Sequence, residues 1–406
     1  MLEIKNKKDC CGCNACVQIC PKQCIEIKVD YEGFEYPCVS VDSCIDCGLC
    51  EKVCPIVNTE NSRVPLRVYA AKHVDATIKL KSSSGGFFFA LAKKVLDDGG
   101  VVFGAAFDED RSVHHVYTEK IEGLWPILGS KYVQSRIGTC FFEAKRFLDQ
   151  GRLVLFSGCP CQIAGLKKYL RNKQYSNLIL VDFLCHGVPS PGVWGKYLEE
   201  ILKKIARRAD SGENSVLKLP LNAISAIDIS FRDKEKYGWR KYSFVVRGMS
   251  SSKDIQNSVL LSDMHRDNPF MKGFLSNLYL RPSCHFCKFK RFQSGSDITL
   301  GDYWGIYRVN PSFNDNEGVS MVFINTSKAA ELLLSIKDNL ELAETSFQDT
   351  LSNKGLDEAV IAHPKRYFFF KRYRQNKESI VSSINASLKQ PIVLILAKKI
   401  INRIKC

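Results

Sequence analysis

The sequence lacks several patterns that define common classes of protein. No apolar run approaches the roughly 18 residues of a membrane-spanning helix, and even residues 392–397 (IVLILA) are far too short. The N-terminus has no apolar stretch typical of a secretory signal peptide, so we expect a cytoplasmic protein. No C-x3-C-x2-C triplet occurs, which argues against a radical enzyme built on S-adenosylmethionine. Residues 104–107 do not complete G-x-G-x-x-G, so the standard dinucleotide fingerprint is absent.

The remaining composition is that of a globular protein. The 406 residues are 45% hydrophobic and 25% charged, which excludes disordered, collagen-like and coiled-coil proteins. This length predicts two or three domains and a core that needs no disulfides. The 18 cysteines are nevertheless too many for an ordinary cytoplasmic enzyme. Because disulfides are rare in a reducing compartment, we expect cysteine at this density to bind metal.

Positive charge is concentrated at the C-terminus. Residues 363–406 contain eleven Lys or Arg and one acid, so they carry +10 of the formal +15. The basic pI therefore arises mainly from the C-terminal tail, and we predict no nucleic-acid partner. Within the tail, residues 392–404 combine apolar and basic side chains, which suits an amphipathic helix in peripheral contact with an anionic membrane. Docking of an acidic electron donor is an alternative, and a solvated, partly disordered terminus is the interpretation we favour.

The N-terminal cysteines repeat one spacing. Each copy reads C-x2-C-x2-C-x3-C-P, the pattern of bacterial two-cluster ferredoxins, in which the fourth cysteine ligates the other cluster. We therefore predict two 4Fe-4S clusters. The first would be held by Cys10, Cys13, Cys16 and Cys54, and the second by Cys44, Cys47, Cys50 and Cys20.

Other interpretations of this region carry less weight. Zinc sites usually take two C-x2-C pairs and not triplets, so we favour iron–sulfur over zinc. Cys11, Cys24 and Cys38 fit neither run, and we expect them to be small buried hydrophobes. Between the runs, residues 24–29 and 34–39 predict a hairpin with Gly33 in its turn.

Predicted strands and helices alternate after residue 66. Apolar runs predict buried strands at 68–72, 100–107, 153–157 and 178–184, with helices at 85–96, 139–149 and 162–170. Alternating runs predict half-exposed strands at 224–231 and 242–248, and residues 319–325 and 328–336 give a last strand–helix unit. This order predicts an α/β fold: a body with a mixed, largely parallel sheet, preceded by a small α+β ferredoxin domain at residues 1–60.

A second group of cysteines belongs to the body: Cys159, Cys161, Cys185, Cys284 and Cys287. Cys159 and Cys161 follow one predicted strand and Cys185 ends the next. Carboxyl ends of neighbouring parallel strands are where α/β sheets bind ligands. These five cysteines are enough to fill the four ligand positions of a cubane cluster, so we predict a third cluster here. A redox dithiol at Cys284 and Cys287, or a zinc site, is the alternative.

Several segments taken together resemble the coenzyme F-420 hydrogenase/dehydrogenase beta-subunit family, which includes plant 7-hydroxymethyl chlorophyll a reductase and bacterial members associated with polysaccharide biosynthesis. This chain resembles the bacterial kind with a ferredoxin module in front, and residues after about 350 lie outside the matching motifs. The matching segments are 82–86 (SSSGG), 129–134 (GSKYVQ), 156–166 (FSGCPCQIAGL), 185–190 (CHGVPS), 231–234 (FRDK) with 238–239 (GW), 281–287 (RPSCHFC) and 297–305 (DITLGDYWG).

The resemblance implies an iron–sulfur flavoprotein with FAD and a cluster in the body. It assigns residues 66–150 to an N-terminal flavin-binding region, 151–350 to a C-terminal region with the third cluster, and 351–406 to the basic tail. The family motif reads roughly G-x-P-C-Q, so the implied ligands are Cys161, Cys185, Cys284 and Cys287. The implied flavin contacts are Ser83, Ser84, Gly85 and Gly86, for which a serine N-cap is the alternative.

Other candidate site residues are less distinctive. Lys131 and Tyr132 would bind flavin or pair with its reduced, negative form, or else belong to a surface loop. His186 follows a cluster ligand, but a packed histidine is favoured over a catalytic one, and His114-His115 is expected on a solvated strand face. Asp302 is expected to be structural and Trp304 to be core.

We therefore predict an oxidoreductase that passes electrons from ferredoxin or another low-potential carrier through the clusters to FAD and a small-molecule substrate. A polysaccharide-pathway sugar intermediate and the deazaflavin coenzyme are substrates suggested by the resemblance alone. No catalytic residue is assigned. The alternatives are a non-catalytic electron-transfer subunit and, with less support, a zinc-bearing nucleic-acid module.

Overall fold

The computed structural model describes residues 2–210, 227–248, 258–351 and 355–389. Its strands are β1 Ile25–Val29, β2 Glu35–Val39, β3 Arg67–His73, β4 Val101–Phe107, β5 Val113–Thr118, β6 Val154–Ser157, β7 Leu178–Phe183, β8 Ile227–Asp233, β9 Ser243–Gly248, β10 Val259–Met264, β11 Ile298–Asp302, β12 Ser320–Ile324 and β13 Leu340–Thr345. Its helices are α1 Ala15–Ile19, α2 Leu49–Lys52, α3 Ala76–Lys81, α4 Phe87–Asp97, α5 Cys140–Asp149, α6 Pro160–Tyr169, α7 Pro191–Asp210, α8 Pro269–Leu275, α9 Ile306–Val309, α10 Ser327–Ile336, α11 Arg366–Gln375 and α12 Ile380–Leu388.

The N-terminal domain is built on an antiparallel hairpin. β1 pairs with β2 from Ile25 opposite Val39 to Val29 opposite Glu35, as the sequence predicts. Gly33 has a φ of +83° in the connecting turn, a conformation that glycine adopts without steric cost. The short helices α1 and α2 each follow one cysteine loop and pack against each other.

The body is formed by an eight-stranded sheet in the order β13-β3-β12-β11-β7-β6-β4-β5. β4, β6, β7 and β11 run parallel, and antiparallel strands extend the sheet on both sides. The predicted mixed α/β fold is confirmed. The sequence overstates the parallel content, because an apolar run identifies a buried strand without fixing its direction.

The central strands face a helical layer on each side. Phe103 and Phe156 pack with α5 and α6, whereas Val102 and Leu155 pack with α4 and α10 on the opposite face. The rings of Phe103 and Phe156 are buried and stack with centroids 5.3 Å apart. Both faces of these central strands are buried, which explains why their sequences are continuous apolar runs. Close packing also fixes the loops that leave their carboxyl ends.

A smaller antiparallel sheet has the order β10-β9-β8. It packs with α7, α8 and α12 around an aromatic core that includes Trp194, Phe231 and Phe270. The predicted strand residues 224–226 lie outside the described residues, and β8 begins at Ile227. β9 is mostly buried and not half-exposed, since it lies between β8 and β10 and places Phe244 and Val246 in the aromatic core.

The described part of the C-terminal tail is folded. Phe369 and Phe370 on α11 and Ile384 on α12 are buried in the same aromatic core. The expectation of a solvated, partly disordered terminus is therefore wrong for residues 366–388, because apolar residues within the basic sequence meet this core. The amphipathic helix predicted at 392–404 lies outside the described residues. In the part of the chain that is described, no helix combines the length and apolar character needed to cross a bilayer.

Candidate functional site

The first N-terminal cysteine group lines a small cavity of about 20 Å³. Cys10, Cys13 and Cys16 come from the first loop and the start of α1, and Cys54 arrives just after α2. Burial raises the pKa of the Cys54 thiol to about 11. Metal coordination would overcome this effect, since it deprotonates a coordinating thiol outright. The four cysteines that the spacing assigns to one cluster are thus brought together.

The second N-terminal group lines another cavity of about 20 Å³. Cys20 closes α1, and Cys44, Cys47 and Cys50 surround the start of α2. Each of the two short helices therefore carries residues toward both cavities. Cys47 is exposed, so this cavity lies at the solvent-facing end of the domain.

A third cavity, of about 50 Å³, lies where the N-terminal domain meets the body. It is lined by Cys161 at the start of α6, by Cys185 after β7, and by Cys284 and Cys287. The last two belong to the short 3-10 helix Pro282–Phe286 and its end. β6 and β7 are parallel neighbours, so the residues that follow them converge. Four thiols from three segments facing one cavity fit a cubane cluster.

A zinc site requires a tighter arrangement of donors than a cubane cluster does. A zinc ion needs its donors about 2.0–2.3 Å away on all sides. Within the described ranges, no three His, Cys, Asp or Glu side chains converge closely enough to hold a single ion.

Cys159 and Cys161 face different cavities. Cys161 lines the third cavity, whereas Cys159 lines a larger one beside it. The Cys159 thiol donates to Cys185 and lowers the pKa of Cys185 to about 7. Gln162 Oε1 accepts a hydrogen bond from the Cys159 backbone N–H at 2.9 Å and fixes the loop. Cys161 lines the third cavity with the other three candidates but its thiol contacts Cys11, so Cys161 as the fourth ligand stays a prediction.

The three cysteines outside the spacing differ from one another. Cys11 is buried and lines both the first and the third cavities. Cys24 is buried, with its Sγ 3.4 Å from that of Cys20. Cys38 is exposed, so the expectation of a buried hydrophobe is wrong there, because its side of β2 faces solvent. Spacing gives no signal for Cys11, which reaches the body only in the folded chain.

A fourth cavity, of about 320 Å³, adjoins the third. This volume falls in the range of cofactor clefts. Among the predicted flavin contacts, it is lined by Ser83, Ser84, Gly86, Lys131 and Tyr132. Gly85 does not line it and serves packing instead: a Cβ there would lie 2.2 Å from the Ala71 carbonyl oxygen on β3.

Buried hydrogen bonds hold the serine loop in place. Ser83 Oγ accepts from the backbone N–H of Ser130 at 2.7 Å, and Ser84 Oγ donates to the Val319 carbonyl at 2.8 Å. The Lys234 ammonium donates to the Ser84 carbonyl at 2.9 Å. Burial lowers the pKa of Lys234 to about 7. Lys234, in the FRDK segment, thus fixes the wall of the fourth cavity, a role that the sequence did not reveal.

An ion pair forms another part of that wall. Arg232 Nη1 donates to Asp302, whose other oxygen accepts from Trp239 Nε1 at 2.9 Å. Arg232 lines the cavity, and its Nε and Nη2 have no hydrogen-bond partner among the described residues. Buried donors without acceptors are costly. An anionic group held in the cavity would supply acceptors, so these residues fit a flavin or its phosphates.

The Lys131 ammonium is already occupied by the protein. Its Nζ donates to three carbonyls at the end of the 3-10 helix Glu122–Ile127, those of Pro126 (2.6 Å), Ile127 (3.0 Å) and Leu128 (2.8 Å). Burial lowers the pKa of Lys131 to about 7. The neighbouring Tyr132 packs its ring on Phe274, with centroids 4.6 Å apart. Lys131 therefore shapes the cavity through the loop that it caps.

His115 corrects the expectation of a solvated strand face. It is 5% exposed and stacks on Phe156. Its Nδ1 lies 2.7 Å from Ser135 Oγ and its Nε2 3.0 Å from the Ser157 carbonyl oxygen. Burial lowers the pKa of His115 to about 4, so the ring is neutral at pH 7. Successive side chains of a strand point to opposite faces, so one histidine of the adjacent pair lies on the inner face of β5. The expectation of a solvated face is therefore wrong for His115.

Two further expectations have different outcomes. His186 Nε2 lies 2.6 Å from Asn277 Oδ1 and its ring packs edge-on against Phe274, as expected of a packed histidine. Trp304 is 39% exposed and stacks on Trp239 with centroids 4.4 Å apart, so it is not a core residue.

Two shared helices and several shared lining residues connect the four cavities in series. α1 and α2 contribute cysteines to the first and second cavities. Cys11 and Ile56 line both the first and the third. Cys185 and Asp182 line both the third and the fourth. A continuous succession of candidate cofactor sites therefore leads from the exposed Cys47 to the 320 Å³ cavity.

This fold and these cysteine groups define an iron–sulfur protein. Residues 9–57 match the model of the 4Fe-4S dicluster domain. Residues 151–350 match the family described as the C terminus of the coenzyme F420 hydrogenase/dehydrogenase beta subunit. These matches confirm the resemblance seen in the motifs: residues 151–350 carry the C-terminal region of this beta-subunit family, and a dicluster domain precedes them.

Relatives include components of F420-linked oxidoreductases. Coenzyme F420-dependent sulfite reductase of Methanocaldococcus jannaschii is 27% identical over 173 residues, which are 41% of this chain and 26% of that protein. The chain thus spans about a quarter of that relative. One subunit of the F(420)H(2) dehydrogenase of Methanosarcina mazei is 22% identical over 82% of this chain and 84% of its own length. A structure of the F420-reducing NiFe hydrogenase complex from Methanosarcina barkeri aligns at 16% identity and a TM-score of 0.43, over 80% of this chain and 92% of that chain.

Proposed function

We propose that the chain is an iron–sulfur flavoprotein oxidoreductase that passes electrons between a low-potential carrier, such as ferredoxin, and a small-molecule substrate. The observation that carries the proposal is the third cavity, which Cys11 joins to the first cavity and Cys185 joins to the fourth. Cavities without shared walls would leave the dicluster domain and the body as separate sites.

Each cavity has residues suited to one group. The two N-terminal cavities would hold 4Fe-4S clusters on the cysteines assigned above, and the third cavity would hold a third cluster on Cys161, Cys185, Cys284 and Cys287. The fourth would hold FAD against the serine loop and the free donors of Arg232. FAD, when bound, supplies the conversion between one-electron and two-electron chemistry. The protein contributes position, burial and charge.

The residues of the fourth cavity do not distinguish between the two substrates that the resemblance suggests. The names of the relatives favour the deazaflavin coenzyme F420 over a sugar intermediate, since both printed activities involve it. The cytoplasmic location expected from the sequence stays a prediction.

The test is the content of iron, acid-labile sulfide, zinc and released flavin per chain in protein purified without oxygen. About twelve irons, the sum of three four-iron clusters, with one FAD is the expected result. About eight irons and no flavin would contradict the proposal and leave a carrier with a dicluster domain. Zinc in place of four irons would overturn the third cluster.

The second candidate is a non-catalytic electron-transfer subunit. It is favoured by one observation: the relative that matches most of this chain is itself called a subunit of a dehydrogenase. The isolated chain, loaded with iron and flavin, should then reduce artificial electron acceptors from a low-potential donor but turn over no small-molecule substrate. Turnover of reduced F420 by the isolated chain would decide for the first candidate.

A further inference from the structure

Helix α11 has a face that no other described residue covers. Tyr367 is 72% exposed and Phe368 is 60% exposed, although their neighbours Phe369 and Phe370 are buried. Large aromatic side chains with this exposure, next to each other on one helix, are unusual for a surface with no partner. The uncovered face therefore has a function other than core packing.

Cations surround these two rings. Lys371 and Arg372 are exposed one turn after Tyr367 and Phe368, so all four side chains lie on one side of α11. Phe368, Lys371 and Arg372 also line a groove of about 460 Å³ between α11 and α12, together with Lys365. We call this surface the aromatic–basic face. Arg366 is not part of it, because it turns inward to pair with Glu32.

The rest of the tail leaves from the same place. Lys365 Nζ donates to the carbonyl of Lys389 at 2.6 Å, so the chain after α12 starts beside the groove. The sequence that follows, residues 390–406, contains IVLILA, four Lys or Arg and no acid. From residue 359 to the end, Glu378 is the only acid in the sequence. Aromatic rings, cations and an apolar, acid-free segment are thus joined at one corner of the molecule.

We propose that the aromatic–basic face docks the protein on an anionic lipid bilayer. Lys365, Lys371 and Arg372 would pair with headgroup phosphates, and Tyr367 and Phe368 would enter the interface between headgroups and acyl chains. An acidic protein would match the cations equally well. The bilayer is favoured because the adjoining sequence adds six consecutive aliphatic residues, which an acidic protein surface would not receive. The proposal is independent of the redox function.

The experiment is flotation of the complete, cofactor-loaded protein with vesicles of phosphatidylcholine alone or with 30% phosphatidylglycerol. Binding is expected only to the anionic vesicles. Lys371→Gln with Arg372→Gln should weaken it about 30-fold, since each surface cation contributes about fivefold. Tyr367→Ser with Phe368→Ser should weaken it at least about tenfold. The matched control, Lys120→Gln with Lys173→Gln, removes the same charge from two exposed lysines elsewhere and should bind like the wild type.

Each other outcome would overturn the proposal. Absence of binding to anionic vesicles would do so directly. Equal loss in the control pair would show that net charge and not this face is responsible. Normal binding by both α11 variants would assign the contact to residues 390–406 alone. If the α11 variants lose affinity for an acidic ferredoxin while vesicles never bind, the face is a protein-docking site. Iron content and melting temperature, measured on every variant, separate these outcomes from misfolding.

Discussion

Arg281 Nε donates a hydrogen bond to the carbonyl oxygen of Cys10, 2.8 Å away, and so joins the body to the dicluster domain. The same guanidinium donates to Gln134 Oε1 at 2.9 Å and to the Glu35 carbonyl at 2.8 Å. It is fully buried and lies 4.3 Å from the centre of the Tyr36 ring. Arg281 belongs to the segment that also carries Cys284. The short segment 281–287 therefore supplies candidate ligands to the third cavity and also holds the backbone that lines the first cavity.

Arg281→Lys should loosen this junction. Lysine keeps the charge but cannot reproduce the planar fork, so at least two of the hydrogen bonds are lost. We expect a loss of about 2–3 kcal/mol in stability, visible as a lower Tm and as faster tryptic cleavage within residues 60–65. The control is Arg291→Lys, at an exposed arginine. Indistinguishable behaviour of the two variants would show that the junction does not depend on Arg281.

Replacement of Cys161 tests the third cluster. Cys161→Ser should lower the iron content by about four atoms per chain, because one of four thiolates is lost. Cys159→Ser should keep all iron, since that side chain faces the neighbouring cavity. Cys140→Ser is a buried control outside every cysteine cavity. The assignment fails if iron is lost from the Cys159 variant and kept in the Cys161 variant.

The Arg232–Asp302 pair tests flavin binding. Removing one partner of a buried ion pair leaves an uncompensated charge and costs about 3–5 kcal/mol. The double variant Arg232→Gln with Asp302→Asn avoids this, and should fold with normal iron content but release FAD at least about tenfold more readily. Released flavin is measured by fluorescence after gel filtration. Arg266→Gln with Asp267→Asn, at two exposed residues, is the control. Full flavin retention by the double variant would contradict the proposed site.

His115 predicts a pH dependence of stability. Its folded pKa, about 4, lies below its unfolded value near 6.5, so unfolding takes up a proton between these limits. The stabilisation is complete above about pH 6.5 and falls as the pH drops toward 4. At pH 5.5 the loss relative to neutral pH is about 1.4 kcal/mol. The Tm advantage of the wild type over His115→Gln should therefore shrink between pH 7.5 and 5.5, while His114→Gln should follow the wild type. A constant difference would mean that His115 accepts a proton in the folded protein.

The sequence predicts well what depends on local pattern. Cysteine spacing groups the eight N-terminal ligand candidates as the two small cavities do, because that geometry is set within short loops. Buried strands were predicted from apolar runs such as β4 and β6. Strand direction was not, since β12 reads like β6 but pairs antiparallel with β11.

Contacts between segments that are distant in the chain could not be predicted from the sequence. Cys11 has no partner within its own spacing pattern, and reaches the third cavity because Arg281 and Gln134 hold its loop against the body. Lys131 was predicted to face a cofactor, but three carbonyls that only the folded turn assembles take its donors. The ion pair of Arg232 with Asp302 was likewise not predicted, because the two residues lie on different sheets.

The exchange of the fourth cysteines between the two N-terminal cavities has a consequence for biosynthesis. Cys54 completes the first cavity and Cys20 completes the second. The second site is whole on the ribosome only after residue 50 has emerged, and the first only after residue 54, although Cys10, Cys13, Cys16 and Cys20 leave the exit tunnel much earlier. Cluster insertion must therefore wait for both halves, and a chain that stalls within the hairpin presents only incomplete, oxidisable thiol sites.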